Sequence, residues 1–251
     1  MKRLLSLIAL SLLAITVSAR AETGSTADSD FDAANTLYAQ GKFTEAAAVY
    51  EKAIHSGSIS SAIYFNLGNA FYKSGQIGHA VAAYRQAAQI SPRDPDIRAN
   101  LNFVRGQIQG PVLPTTHWQR WLDRLTLNEW TFIASAALWI LLLLLAAIQF
   151  RPALKSALRS LTLVSGVATV AAIFCLISVI SDRSTPLAIV SVPEAMVRNG
   201  PFDEFQSVFT VNNGAELAVI DQKNDWLQVR ADERKVGWIK RSEVLLAPGK
   251  I

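Results

Sequence analysis

The residues of this chain most able to carry nucleophilic, redox or metal chemistry are His55, His79, His117 and Cys175. Their spacing serves none of it. The histidines are scattered, with no pairing at the short intervals that tetrahedral metal sites use. A lone cysteine cannot form an intramolecular disulfide or a CxxC pair. No HExxH helix, glycine-rich phosphate loop or nucleophile elbow occurs, and the carboxylates are spread as solvated charges. The expectation is a chain that is not an enzyme and that needs neither metal nor cofactor. What the chain offers instead is asparagine amides and aromatic rings, groups that bind rather than react.

The elements that hold these groups can be read from composition. Of 251 residues, 51% are apolar and only 18% charged, against about 25% charged in an ordinary globular chain. The apolar residues are therefore concentrated in segments. The first is the leader: Lys2 and Arg3, then an apolar run, then Ala19-Arg20-Ala21. That is the order of a secretory signal peptide over residues 1–21, or of an uncleaved anchor. Removing Lys2, Arg3 and Arg20 lowers the formal charge from +4 to about +1, too little for a general nucleic-acid surface.

Two later runs, residues 130–150 and 161–180, are each long enough to cross the ~30 Å hydrocarbon core of a bilayer. The alternative is a pair of buried core helices, but no domain here is large enough to enclose them. The connector 151–160 carries Arg151, Lys155 and Arg159 and no acid, which expects it on the cytoplasmic side. The regions before and after the spans then share the outer compartment. Residues 111–129 read as a linker leading into the membrane, with Trp118, Trp121 and Trp130 suited to an interfacial belt. Cys175 falls inside the second span as a small hydrophobe.

Residues 30–110 repeat at an offset of 34. Gly41 aligns with Gly75, Ala46 with Ala80, Tyr50 with Tyr84 and Ala53 with Ala87. The pattern resembles the tetratricopeptide (TPR) repeat, a helix-turn-helix unit. Gly68, Ala46 and Ala80 are small where helices approach, Gly41 and Gly75 sit at turns, and Tyr50 and Tyr84 fill space between helices. Pro92 stops the second unit. A third helix, about 95–109, caps the array, with Asn102 at the small-residue position. In the resemblance, the first helix of each unit lines a concave groove. Its facing residues here are Phe31, Asn35, Tyr38, Phe65, Asn66, Asn69, Tyr72, Lys73 and Asn100. Asn35 and Asn66 match repeats that clamp a C-terminal carboxylate, but Phe31 stands where that clamp has its first lysine. An extended or helical segment is the expected occupant; the alternative is that these amides are merely solvated.

From Pro186 the pattern changes to short β-branched strands separated by turn residues such as Asn212-Asn213-Gly214 and Lys223-Asn224-Asp225. Val197-Arg198 with Gly200-Pro201, Gly214 before a strand, Asp225-Trp226 and Gly237-Trp238 resemble bacterial SH3-like domains, so residues 186–251 are expected to form a small barrel. Trp226 and Trp238 with Phe202 or Phe205 could form an aromatic binding surface; alternatively, both tryptophans belong to the core. The resemblance implies binding to protein or cell wall.

The expected architecture is thus a multidomain membrane protein: all-α TPR hairpins, two transmembrane helices and an all-β SH3-like barrel. With SPRDPDIRANLNFVR between the repeats and the spans, the order resembles the BatE family of Bacteroides aerotolerance (Bat) proteins. The resemblance implies a role in an inner-membrane complex with von Willebrand factor A-type proteins and a MoxR-type ATPase, linked to oxidative stress. With the basic connector cytoplasmic and the leader a signal peptide, the TPR and SH3-like domains are expected in the periplasm. No residue here would detoxify an oxidant directly. The competing reading is a peptidoglycan-binding module anchored in the inner membrane.

Overall fold

The computed structural model describes residues 24–108, 116–184, 186–232 and 234–247. The leader expected over residues 1–21 and the proline-containing part of the linker lie outside them.

Five helices come first among the described residues: α1 (Gly24–Ala39), α2 (Phe43–His55), α3 (Ser61–Lys73), α4 (Ile77–Ile90) and α5 (Pro95–Gln107). They form two antiparallel hairpins and a capping helix. Gly41 and Gly75 end the first helix of each hairpin at φ +78°, a left-handed conformation that costs glycine little. The Ser60 hydroxyl accepts the Ile63 amide at the start of α3. Asp94 accepts the amides of Asp96 and Ile97 at the start of α5, with Pro95 in the first turn. Both are N-caps that satisfy orphan helix donors. A Cβ on Gly68 would lie 2.7 Å from the Tyr84 ring, so the second hairpin closes only around glycine. Asn102, at the corresponding position of the cap, is exposed and is not closed over by a ring as Gly68 is.

A short helix, α6 (His117–Leu122), precedes the apolar pair α7 (Leu127–Phe150) and α8 (Lys155–Ser184). Both α7 and α8 are long and apolar enough to cross a membrane. Their outward side chains, among them Phe132, Leu143, Val167 and Val170, are mostly exposed, as lipid-facing residues are. Ser165, Thr169, Ala172, Cys175 and Val179 form the buried stripe of α8, small or slim residues that let two apolar helices approach. The turn between the helices is shorter than the expected connector. Pro152 breaks the helix, a single 3-10 turn covers Pro152–Leu154, and α8 starts at Lys155. Lys155 and Arg159 therefore sit on α8, because Lys, Ala, Leu and Arg sustain a helix well.

The C-terminal domain is one antiparallel sheet of β1 (Leu187–Val190), β2 (Glu194–Arg198), β3 (Ser207–Asn212), β4 (Glu216–Lys223), β5 (Trp226–Arg230), β6 (Val236–Lys240) and β7 (Val244–Ala247), in the order β3-β2-β6-β5-β4-β1-β7. Val197 and Val211 from one end share a buried cluster with Ala188, Val190 and Val244 from the other. The sheet is thus curled around its own core as a barrel.

Candidate interaction surfaces

The groove residues expected from the repeat are brought together by α1, α3 and α5; all are half-buried except Lys73, which is exposed. The asparagines are committed to a ladder. The Tyr50 hydroxyl donates to Asn35 Oδ1 at 2.6 Å and Asn66 Nδ2 donates to the same oxygen at 3.0 Å. One repeat later, the Tyr84 hydroxyl donates to Asn69 Oδ1 at 2.7 Å and Asn100 Nδ2 to that oxygen at 3.0 Å. Phe31 against Tyr50 and Phe65 against Tyr84 repeat the same ring contact at 6.0 and 5.9 Å. These amides are neither simply solvated nor wholly free for a ligand. Asn35 and Asn69 spend their carbonyls on the ladder and keep amide hydrogens; Asn66 and Asn100 keep carbonyls. Burial pushes the Tyr50 hydroxyl up to about 12 and raises Tyr84 as well, so both remain donors at any physiological pH. Further along, Tyr72 exchanges hydrogen bonds with Gln107 and meets the exposed Phe103 edge-on at 5.7 Å. The face can present amide donors, amide acceptors and aromatic edges to an extended backbone.

On the barrel, strand alternation puts Trp226, Gln228, Trp238 and Lys240 on one outer face, with Trp226 opposite Lys240 and Gln228 opposite Trp238. Trp226, expected on an exposed aromatic surface, is only 8% exposed. The reason is its cross-strand partner: the Lys240 ammonium lies 5.6 Å from the ring centroid and is fixed there by Asp203 at 2.7 Å. Trp238 is half-buried. Phe202 is 51% exposed and stacks on Phe205 at 6.0 Å. Trp226 forms one wall of an open cavity of about 580 Å³ shared with Asp203, Asp225, Lys240, Arg241 and Ser242. The aromatic face is therefore divided into an exposed Phe202–Phe205 pair and a polar cleft backed by one indole.

The repeats and the barrel are docked, through residues the sequence did not single out. Arg85 on α4 is 2% exposed and Glu216 at the start of β4 is 0% exposed. The Arg85 guanidinium grips this carboxylate in a fork, Nη2 at 2.6 Å and Nε at 3.1 Å. Arg105 on α5 adds a second fork at 2.9 and 3.2 Å. Burial alone would raise Glu216. The charge and hydrogen bonds of Arg85, then of Arg105, outweigh it and hold the carboxyl below its ordinary value. Burial lowers Arg105 against the pull of Glu216. Around this triad Ile189, Leu245 and Ala247 join the core of the helical repeats. The barrel also caps α4: Gln76 makes no side-chain cap, and Asn213 Oδ1 instead accepts the Gly78 amide at 2.7 Å. A Cβ on Gly78 would lie 2.2 Å from the Val190 carbonyl oxygen.

The signal for this junction lies in how the two repeats differ. At the 34-residue offset Arg85 replaces Glu51 and Gly78 replaces Thr44. Strand β1, Leu-Ala-Ile-Val, is apolar without alternation and buried at every position, as a strand covered on both faces is.

Comparison with known families agrees with this division. The tetratricopeptide repeat model matches residues 31–95 and the bacterial SH3 domain model matches residues 194–244. None of the curated proteins matches the chain. Strand β1, which carries the docking contact, precedes the matched SH3 span. The chain therefore joins a TPR array and a bacterial SH3 domain, two folds typically without catalysis, to a pair of membrane-length apolar helices.

Proposed function

We propose that the chain is a non-enzymatic, membrane-anchored scaffold that binds protein partners through its repeat groove and its SH3-like barrel. The observation that carries this is the joining of two interaction folds into one body by a buried Arg–Glu–Arg triad, beside two helices long enough to anchor it. Docking fixes the direction in which the groove and the cleft face, so one partner can be held against another. The basic residues Arg151, Lys155 and Arg159 at the α7–α8 turn favour a cytoplasmic turn, which puts both domains on the periplasmic side of a bacterial inner membrane. Asn35, Tyr38, Phe65, Asn66, Asn69, Tyr72 and Asn100 are the proposed groove contacts. The resemblance to BatE makes von Willebrand factor A-type membrane proteins and a MoxR-type ATPase the partners to look for, in an aerotolerance complex.

Cross-linking in intact membranes, then purification of the full chain and mass spectrometry, tests this. Recovery of von Willebrand-type proteins, reduced by Tyr72→Ala, is expected; recovery unchanged by Tyr72→Ala would remove the groove from the reading.

A second reading is cell-wall binding by the barrel. It is favoured by the cleft, where an indole wall beside Asp203, Asp225 and Ser242 suits a sugar–peptide polymer. Co-sedimentation with purified peptidoglycan tests it. The full chain is the right material, because a barrel cut free would bare Ile189 and Leu245.

A further inference from the structure

A cavity of about 520 Å³ lies between the repeat array and the start of the membrane helices and shares no lining residue with the barrel cleft. Arginines converge on it from three places: Arg93 before α5, Arg98 and Arg105 on α5, and Arg120 and Arg124 on and just after α6. His117 also lines it, within 3.1 Å of Arg120. Asp123 is the only acid among its described lining residues. Arg93 is paired with Glu129 and Arg105 with Glu216. Arg98, Arg120 and Arg124 have no salt-bridge partner among the described residues, and all three are exposed.

Like charges gathered in this way repel unless an anion joins them. Guanidinium forks fit phosphate oxygens in two-point contacts. Leu101, Ala88 and Trp121 give the same cavity an apolar floor. Its position is equally informative. Helix α7 begins three residues after Arg124. Trp118 stacks on Trp121 at 5.2 Å, Trp121 meets Trp130 at 5.4 Å, and Trp118 reaches Phe174 of α8 at 6.4 Å. Such indole clusters mark the headgroup level of a bilayer.

We infer that this cavity binds a phosphate-bearing anion, held by Arg98, Arg120 and Arg124 at the membrane surface. An anionic lipid headgroup and a soluble phosphate share that chemistry, and the test separates them.

The full chain in detergent is titrated with phosphatidylglycerol and, separately, with inorganic phosphate, by native mass spectrometry and calorimetry. The Arg98→Gln/Arg124→Gln variant is compared with the unaltered chain, and Arg120→Gln serves as a second variant should the first melt early. The expected result is phosphatidylglycerol binding about tenfold weaker or more in the variant, the loss of at least one charge-assisted contact. Phosphatidylcholine should not substitute. If inorganic phosphate binds, displaces the lipid and is weakened equally by the substitutions, the site stands with a soluble ligand. Equal binding of both probes by variant and unaltered chain overturns the proposal.

Discussion

Replacing Glu216 by Gln keeps the shape of the side chain and removes its charge. In the native chain the carboxylate is fully buried and answers two guanidiniums, of which Arg85 is itself 2% exposed. The substitution takes the Glu216 charge away from the buried Arg85. Breaking a buried pair from one side costs about 3–5 kcal/mol. Arg105 softens this, because its side chain is 17% exposed and can turn toward water, so the low end, about 3 kcal/mol, is expected. For a unit of roughly 150 residues this lowers the melting temperature by about 6–12 °C. Differential scanning calorimetry of the full chain in detergent measures it. The companion variant Arg85→Met/Arg105→Met/Glu216→Leu separates charge from shape, since replacing a whole buried triad with apolar groups is often neutral or better. A drop under about 1 kcal/mol for Glu216→Gln, or a triple variant less stable than the single one, would refute the reasoning.

Three further outcomes follow from the same contacts. The Glu216 carboxyl is held below its ordinary value, so its contribution is fully present above the unfolded value of about 4.3 and is lost as pH falls through the lower folded value. Unfolding titrations should show the junction weakening below about pH 4, and Glu216→Gln should flatten that slope. Gly78→Ala places a Cβ 2.2 Å from a carbonyl oxygen that cannot move without shifting β1. It should cost about 1–3 kcal/mol as overpacking, visible as faster hydrogen exchange in β1 and α4. Tyr84→Phe removes the donor to Asn69 and should cost about 1 kcal/mol in chemical denaturation, with no change in helix content by circular dichroism.

Much of this fold could be read from local signals. The 34-residue offset, Gly41, Gly75 and Pro92 placed the hairpins because turn and close-approach positions admit few residue types. The apolar runs marked α7 and α8, but not how far α8 extends, since Lys155 and Arg159 suit a helix as well as a loop. The asparagines were visible as a face and not as a ladder: Asn35 and Asn69, Asn66 and Asn100, Tyr50 and Tyr84 all recur at 34, yet which atom accepts from which depends on how neighbouring helices pack. Trp226 could be assigned to a strand, while its cover depends on Lys240 lying opposite in register. The junction was the least legible part. Arg85, Arg105 and Glu216 are far apart in the chain, and a charged residue read alone is expected in water. The departure of the second repeat from the first, at Gly78 and Arg85, and the unbroken apolar run of β1 are what mark that surface as covered.

The docking of repeats and barrel into one body underlies the scaffold reading, and pulsed electron spin resonance tests it most directly. Cysteines for spin labels replace His55 on α2 and Arg230 on β5, both exposed, in a chain whose buried Cys175 is changed to Ala. A single narrow distance distribution is predicted, broadening when Glu216→Gln is added. A broad distribution in the otherwise unaltered chain, as two domains tethered independently to the membrane would give, would contradict it.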